Sequence, residues 1–421
     1  MHIVIGILGI IFFLALAVLF SSDRKNIRWR YVGLLLVIQL IFAFILLKTN
    51  LGISVIGGIS DGFNYLLAKA AVGVNFVFGG FKFVDPKQPP FFFSVLLPIV
   101  FISALIGILQ YTRILPLIIN LLGFLISKIN GMGRLESYNA VAAAILGQSE
   151  VFISLKKQLP YIPKQRLYTL TASAMSTVSA SIIGAYFTLI EPKYVVTAVV
   201  LNLFGGFIIA SIINPYKVNE EDDKLLIDEN ETKKQSFFEM LGEYILDGFK
   251  VAVIVGAMLI GYIAIIALLN GMVSGILSFV SGGAIKWNFQ TLIGFIFAPF
   301  AFLTGIPWQD AVQSGSVMAT KLLSNEFVAM QDLGKATGLS EHAKGITSVF
   351  LVSFANFSSI GIISGAIKSL NDEKGDVVAR FGIKLLFGAT LVSFISAAIA
   401  GFLTFCFSCF YFNSNRKDTF F

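Results

Sequence analysis

Apolar residues run along this chain in blocks of about 20, the length a helix needs to cross a bilayer core, and short polar breaks separate the blocks. Transmembrane spans are predicted near residues 2–20, 31–48, 93–112, 194–213, 249–269 and 380–411. Two further apolar stretches, 166–191 and 343–368, reach the same length but carry Ser, Asn and Gly clusters. Each is predicted to be a helix broken at mid-membrane. Residues 135–160 and 290–330 turn around too soon to make pairs of crossings and are predicted to be re-entrant helical hairpins. Irregular backbone at membrane depth is tolerated only where protein or a watery cavity satisfies its polar groups. The Gly-rich, amphipathic stretch 52–80 suits a helix lying at the interface. The pattern predicts an all-α polytopic membrane protein with about eight transmembrane helices, two re-entrant hairpins and interfacial helices.

The polar signals recur. "LGQSEVFI" at 146–153 has a counterpart in "LSNEFVA" at 323–329, and "STVSASIIGAYFTLI" at 176–190 parallels "SFANFSSIGIISGAI" at 353–367. Glu150 to Ser181 spans 31 residues and Glu326 to Ser359 spans 33. Two hairpin-plus-broken-helix units entering from opposite faces make an inverted-topology repeat, the usual construction of secondary transporters. The expected organisation is scaffold helices over 1–112, a first repeat over 113–213, a polar cytoplasmic connector over 214–240, a scaffold helix over 241–270, a second repeat over 271–412 and a tail over 413–421.

Composition agrees with this picture, since 421 residues with 56% hydrophobic content, 13% charged residues and a mean hydropathy of +0.84 do not describe a soluble enzyme. The net charge of +7 lies scattered at the ends of apolar segments, which leaves no basic patch for nucleic acid. Counting those Lys and Arg residues puts the "DRKNIRWR" loop in the cytoplasm and both termini outside. Residues 3–20 lack a basic leader and a cleavage site, so they are predicted to stay as the first helix rather than leave as a signal peptide. Cys406 and Cys409 fall in an apolar run and are expected to pack or meet lipid, not to pair. The histidines, His2 and His342, are expected to be solvated and offer no zinc site. "DLGKATG" fails as a phosphate loop and "QSGSV" at 313–317 fails as a nucleophile elbow, so an intramembrane enzyme has little support. An ion gradient or a passive channel remains.

A carboxylate at membrane depth costs at least about 2.5 to 3.5 kcal/mol, yet Glu150 and Glu326 occupy matching places in the two units. They are the leading functional candidates; helix capping, or an ion pair with Lys321, is the alternative. Glu136 and Asp310, nearer the hairpin ends, are expected to cap helices or meet the interface.

The motifs "LGQSE", "GIPWQDAVQSGSVMATKLLSNEFVA" and "FANFSSIGI", in that order, resemble the concentrative nucleoside transporters, most closely their bacterial proton-coupled branch. The resemblance covers nearly the whole chain. It implies a homotrimer in a bacterial cell membrane, importing nucleosides, pyrimidine nucleosides and adenosine foremost, by alternating access. It implies that Gln148, Ser149 and Glu150 bind the base, and that Glu326, Asn356 and Ser359 bind the ribose beside Phe354. The chemistry fits, because a neutral ligand rich in donors and acceptors calls for amides, hydroxyls and a carboxylate. Sodium-coupled members carry a side-chain oxygen where this chain has Ala143. Only a remnant of that ion site remains in Ser181 and the backbone oxygens of Leu146 and Ile182. Proton coupling is therefore expected, with Glu150 or Glu326 as proton carrier, no cofactor, and sodium coupling as the alternative; burial favours the protonated form of a carboxylate.

Overall fold

The computed structural model describes residues 2–80, 90–218, 223, 235–285 and 287–414, with side chains from residue 4 to residue 404. Among them there is no strand. The N-terminal helices are α1 (His2–Leu19), α2 (Trp29–Lys48), α3 (Asn50–Phe78) and, after a short π-turn at Phe92–Leu96, α4 (Pro98–Tyr111). A first unit follows: α5 (Ile114–Ser127), α6 (Arg134–Leu146), two 3₁₀ turns at Glu150–Leu155 and Leu159–Tyr161, the pair α7 (Lys164–Ser176) and α8 (Ala180–Phe187), and α9 (Pro192–Ile213). The 45-residue α10 (Phe237–Ser281) leads to a second unit. That unit contains α11 (Phe289–Leu303), α12 (Trp308–Leu323), α13 (Glu326–Lys335), the pair α14 (Glu341–Leu351) and α15 (Phe357–Leu370), α16 (Asp372–Arg380) and α17 (Gly382–Ser414).

Burial separates an inner bundle from an outer layer. The spans of α7–α8, α9 and α17 are 78%, 78% and 83% buried inside the protein, whereas α3 and α10 are 11% buried. Among these inner helices α9 and α17 are largely apolar, and polar contacts between helices add to their packing. Asn202 of α9 supplies such contacts, donating to Val352 O at 2.6 Å and accepting from Ser396 of α17 at 2.7 Å. A stack of Phe13, Phe350 and Phe394 closes the same region, with ring centroids 4.8 and 4.6 Å apart.

Several elements differ from the sequence-based expectation. Residues 290–330 hold three helices rather than a two-armed hairpin: α11 and α12 meet at 116° across Thr304–Pro307, and α13 follows α12 after Ser324 and Asn325. The stretch after the first tip is 3₁₀ rather than α over Glu150–Leu155 and Leu159–Tyr161, and Pro160 and Pro163 keep it from continuing as one helix beyond Lys156. The span near 249–269 extends at both ends into α10, started by a Ser236–Glu239 capping box. Residues 52–80, expected at the interface, form one 29-residue helix of spanning length, and the apolar helix α5 was absent from the predicted spans.

Three polar expectations also change. Glu136 is fully buried, accepting from Arg166 Nε at 2.6 Å and from Tyr216 at 2.9 Å, not interfacial. Asp310 is buried and accepts from Ser340 Oγ at 2.6 Å. His342 is half-buried, with Nδ1 3.0 Å from Thr404 Oγ1 and Nε2 3.3 Å from Gly305 O. The side chains of His2, Cys406 and Cys409, and most of the polar connector, lie outside the described residues. Of that connector Asp223 is described; it accepts from Arg134 N at the start of α6.

Candidate functional site

Both broken pairs part where their sequences turn from apolar to small and polar. The first break, Thr177–Ser179, and the second, Val352–Asn356, join each other through Phe354 N, which donates to Thr177 O at 3.0 Å. Each hairpin tip points at this junction. At the first tip Gly147 has φ +117°, a conformation that side-chain-bearing residues rarely adopt. A Cβ there would stand 2.7 Å from Glu150 Oε2 and 3.2 Å from Ser179 Cβ. At the second tip Asn325 caps α13 by accepting from Val328 N at 3.0 Å, which sets Glu326 in the first turn. Asn356 caps α15 in the same way through Ser359 N at 2.9 Å.

The residues expected to bind ligand fall into two groups. In the first, Ser149 Oγ donates to Glu150 Oε2 at 3.1 Å, and Glu150 is exposed to a cavity of about 830 Å³. That cavity is also lined by Leu146 and Ser181, and by Tyr244 and Asp247 of α10. In the second group Glu326, 4% exposed, accepts from Asn356 Nδ2 at 3.2 Å, while Ser359 and Phe354 are buried nearby in sequence. None of this second group lines the cavity. The α8 helix bridges them: Ser181 reaches the cavity, and Tyr186, five residues on, donates to Glu326 Oε1 at 2.9 Å. The α15 helix also packs against the 3₁₀ turn that begins at Glu150.

Two buried polar atoms in these groups have no hydrogen-bond partner among the described residues: Gln148 Oε1 in the first and Ser359 Oγ in the second. A polar atom left so in a dry interior costs about 1 to 3 kcal/mol, so each would gain from a hydrogen-bonding partner. Of the residues considered for a cation, Ala143 is fully buried and offers no side-chain oxygen, and the Ser181 hydroxyl lies 2.8 Å from that of Ser179. Among the described residues no cluster of His, Cys, Asp and Glu could hold a metal.

Sequence inspection missed Tyr186. The available signal was a lone tyrosine in the second half of an apolar broken helix, where a buried hydroxyl needs a partner. Lys321 pairs with neither glutamate; its Nζ goes to Phe350 O, Ser353 and Ser393.

Paired broken helices whose polar residues converge inside an apolar bundle define a multi-span membrane transporter. Residues 8–81 and 194–401 match the families described as Na+ dependent nucleoside transporter N-terminus and C-terminus, and residues 92–193 match "Nucleoside recognition". The chain is 38% identical to the purine nucleoside transport protein NupG of Bacillus subtilis, over 95% of this chain and 99% of that one. It is 29% identical to the nucleoside permease NupC of Helicobacter pylori, over 94% and 96%. A solved structure of CNTnw in an inward-facing substrate-bound state superposes with a TM-score of 0.88 at 28% identity, covering 96% and 98%. The chain belongs to the concentrative nucleoside transporter family, and the protein is a nucleoside transporter rather than an enzyme.

Proposed function

We propose that this protein imports nucleosides by proton symport, as a homotrimer whose re-entrant hairpins and broken helices alternate access between the two sides of the membrane. The base meets Gln148, Ser149 and Glu150, and the ribose meets Glu326, Asn356 and Ser359 beside Phe354. One observation carries the site assignment: each group holds a buried polar atom without a protein partner, Gln148 Oε1 and Ser359 Oγ. A ligand with a hydrogen-bonding edge at one end and hydroxyls at the other satisfies both.

Proton coupling is supported by the poverty of the cation remnant. Ala143 gives no side-chain oxygen and Ser181 is engaged by Ser179, whereas a hard cation needs several oxygens. Glu150 and Glu326 are the carboxylates available to carry the proton. Sodium coupling is the second reading, favoured by the Na+ dependent description of the matched family. Substrates are pyrimidine nucleosides and adenosine, and the 38% identical purine nucleoside transport protein puts guanosine and inosine in the same test.

Uptake of labelled uridine, adenosine and guanosine into proteoliposomes, with proton and sodium gradients imposed separately, tests these points together. A proton gradient alone is expected to drive accumulation above the outside concentration, and a protonophore to abolish it. Accumulation driven by sodium alone would overturn the coupling, and equilibration without accumulation would indicate a passive channel.

A further inference from the structure

Neither half of the site uses the most buried basic group among the described residues. Lys321 lies in the last turn of α12, its side chain fully buried. Among the described residues no carboxylate oxygen comes within 4.0 Å of its Nζ. Its donors are nonetheless all used: Nζ donates to Ser353 Oγ at 2.6 Å, to Phe350 O at 2.7 Å and to Ser393 Oγ at 3.1 Å. An ammonium has three donors and no acceptor, so this set is complete. Two further contacts mark the place as built for positive charge. The Phe350 ring lies with its centroid 4.5 Å from Nζ, and the Ser353 and Ser393 hydroxyls are 2.9 Å apart, forming one oxygen cluster with the Phe350 carbonyl.

The location gives the cluster its meaning. Phe350 belongs to the last turn of α14, where carbonyls have no partner within the helix and the helix dipole concentrates negative charge. In transporters built from broken helices, the C-terminal ends of half-helices and the unwound carbonyls beyond them are where coupling cations bind. The carbonyls that follow are taken: Leu351 O accepts from Ser353 N at 2.9 Å and Val352 O from Asn202 Nδ2 at 2.6 Å. In the first unit the last turn of α6 brings only Ala143 and its apolar neighbours toward the break, and Thr177 O accepts from backbone. The two units differ here: the second brings a buried basic group, Lys321 Nζ, to its break.

We propose that Lys321 is a resident cation that takes the place of an inorganic ion at the second break. Its charge, rather than its bulk, fixes the turn from which Asn356 starts α15 and reaches Glu326. Because that cation stays with the protein through the transport cycle, the second break has no place for a transported inorganic cation. Lys321 touches no substrate and acts as a positioning residue.

The test uses the full-length protein in proteoliposomes, energised by whichever gradient sustains native uptake, with whichever of labelled uridine and adenosine the native protein accumulates. It needs no assignment of base or ribose. Lys321→Met keeps most of the bulk and removes the charge; Lys321→Ala opens room at the three oxygens for a small amine. Both are expected to lower the initial rate at least about tenfold, the worth of a single hydrogen bond to a charged group. Ethylammonium is expected to restore Lys321→Ala, while ethanol restores nothing and ethylammonium leaves both the native protein and Lys321→Met unchanged. A purely structural role predicts no preference for the charged additive. Native rates in Lys321→Met, or equal restoration of Lys321→Ala by ethanol, would overturn the proposal, as would its failure to respond to ethylammonium. If Lys321→Ala elutes as aggregate, ethylammonium present from solubilisation onward must return a monodisperse peak; if it does not, the proposal fails.

Discussion

Removing one oxygen atom from Tyr186 gives a sensitive test of how Glu326 is aimed. The Tyr186→Phe change keeps the ring, which meets Phe327 edge-on at 5.1 Å, and deletes only the hydroxyl that donates to Glu326 Oε1 at 2.9 Å. A hydrogen bond to a charged group in a buried setting is worth about 1.5 to 3 kcal/mol. Only the part of it that differs between loaded and unloaded protein reaches the KM, because the freed oxygen can accept from the ligand instead. What is lost is orientation: the carboxylate is left with one side-chain donor, Asn356 Nδ2 at 3.2 Å. The lower end of the range therefore applies, and 1.4 kcal/mol is about tenfold in affinity. Concentration-dependent uptake of labelled uridine into proteoliposomes is expected to show a KM raised about tenfold, with native elution on size exclusion. Tyr168→Phe is the control. It removes a hydroxyl that donates to Lys384 O at 3.2 Å, a bond that involves neither Glu326 nor Asn356, and is expected to leave KM unchanged. A KM for Tyr186→Phe equal to that of the control would refute the view that Tyr186 aims the carboxylate.

Two other changes separate site from scaffold. Gly147→Ala forces a side chain into φ +117° and against Glu150 Oε2 at 2.7 Å; with strain of about 1 to 3 kcal/mol, uptake is expected to fall about tenfold while the protein stays folded, and native uptake would show that the tip tolerates rearrangement. Arg166→Met strands the fully buried Glu136, whose bond to Arg166 Nε is 2.6 Å; a loss of about 3 to 5 kcal/mol is expected, read as a lower melting temperature in detergent, and the double change Arg166→Leu with Glu136→Leu is expected to recover most of it. A double variant no more stable than Arg166→Met would argue that the pair does more than neutralise itself.

Legibility in the sequence followed what is local. The spans 31–48, 93–112 and 194–213 came within a few residues of α2, α4 with its preceding π-turn, and α9, because hydropathy over about 20 residues is set by the lipid around a helix. The clusters at 177–179 and 352–356 announced broken helices, since Ser, Asn and Gly stabilise non-helical turns without tertiary help. The 116° bend between α11 and α12 was missed although Gly305, at φ +97°, and Pro307 mark it locally; what only packing decides is how closely the two helices then lie, with Gly294 and Gly315 each against the other helix's backbone.

The sequence by itself determined that this is a polytopic membrane protein with two repeated units and two intramembrane glutamates. Those properties depend on composition and on spacing along the chain. The tertiary structure alone decided which of those glutamates is shielded and by what. Glu326 is enclosed by Tyr186 and Asn356 while Glu150 faces open space, and Lys321, in reach of neither by an ion pair, turns to the carbonyl end of α14. Partners between 29 and 140 residues apart in the chain make those contacts. No local preference encodes them, because the cost of a buried charge is met by whatever donors and acceptors the folded neighbours bring to it.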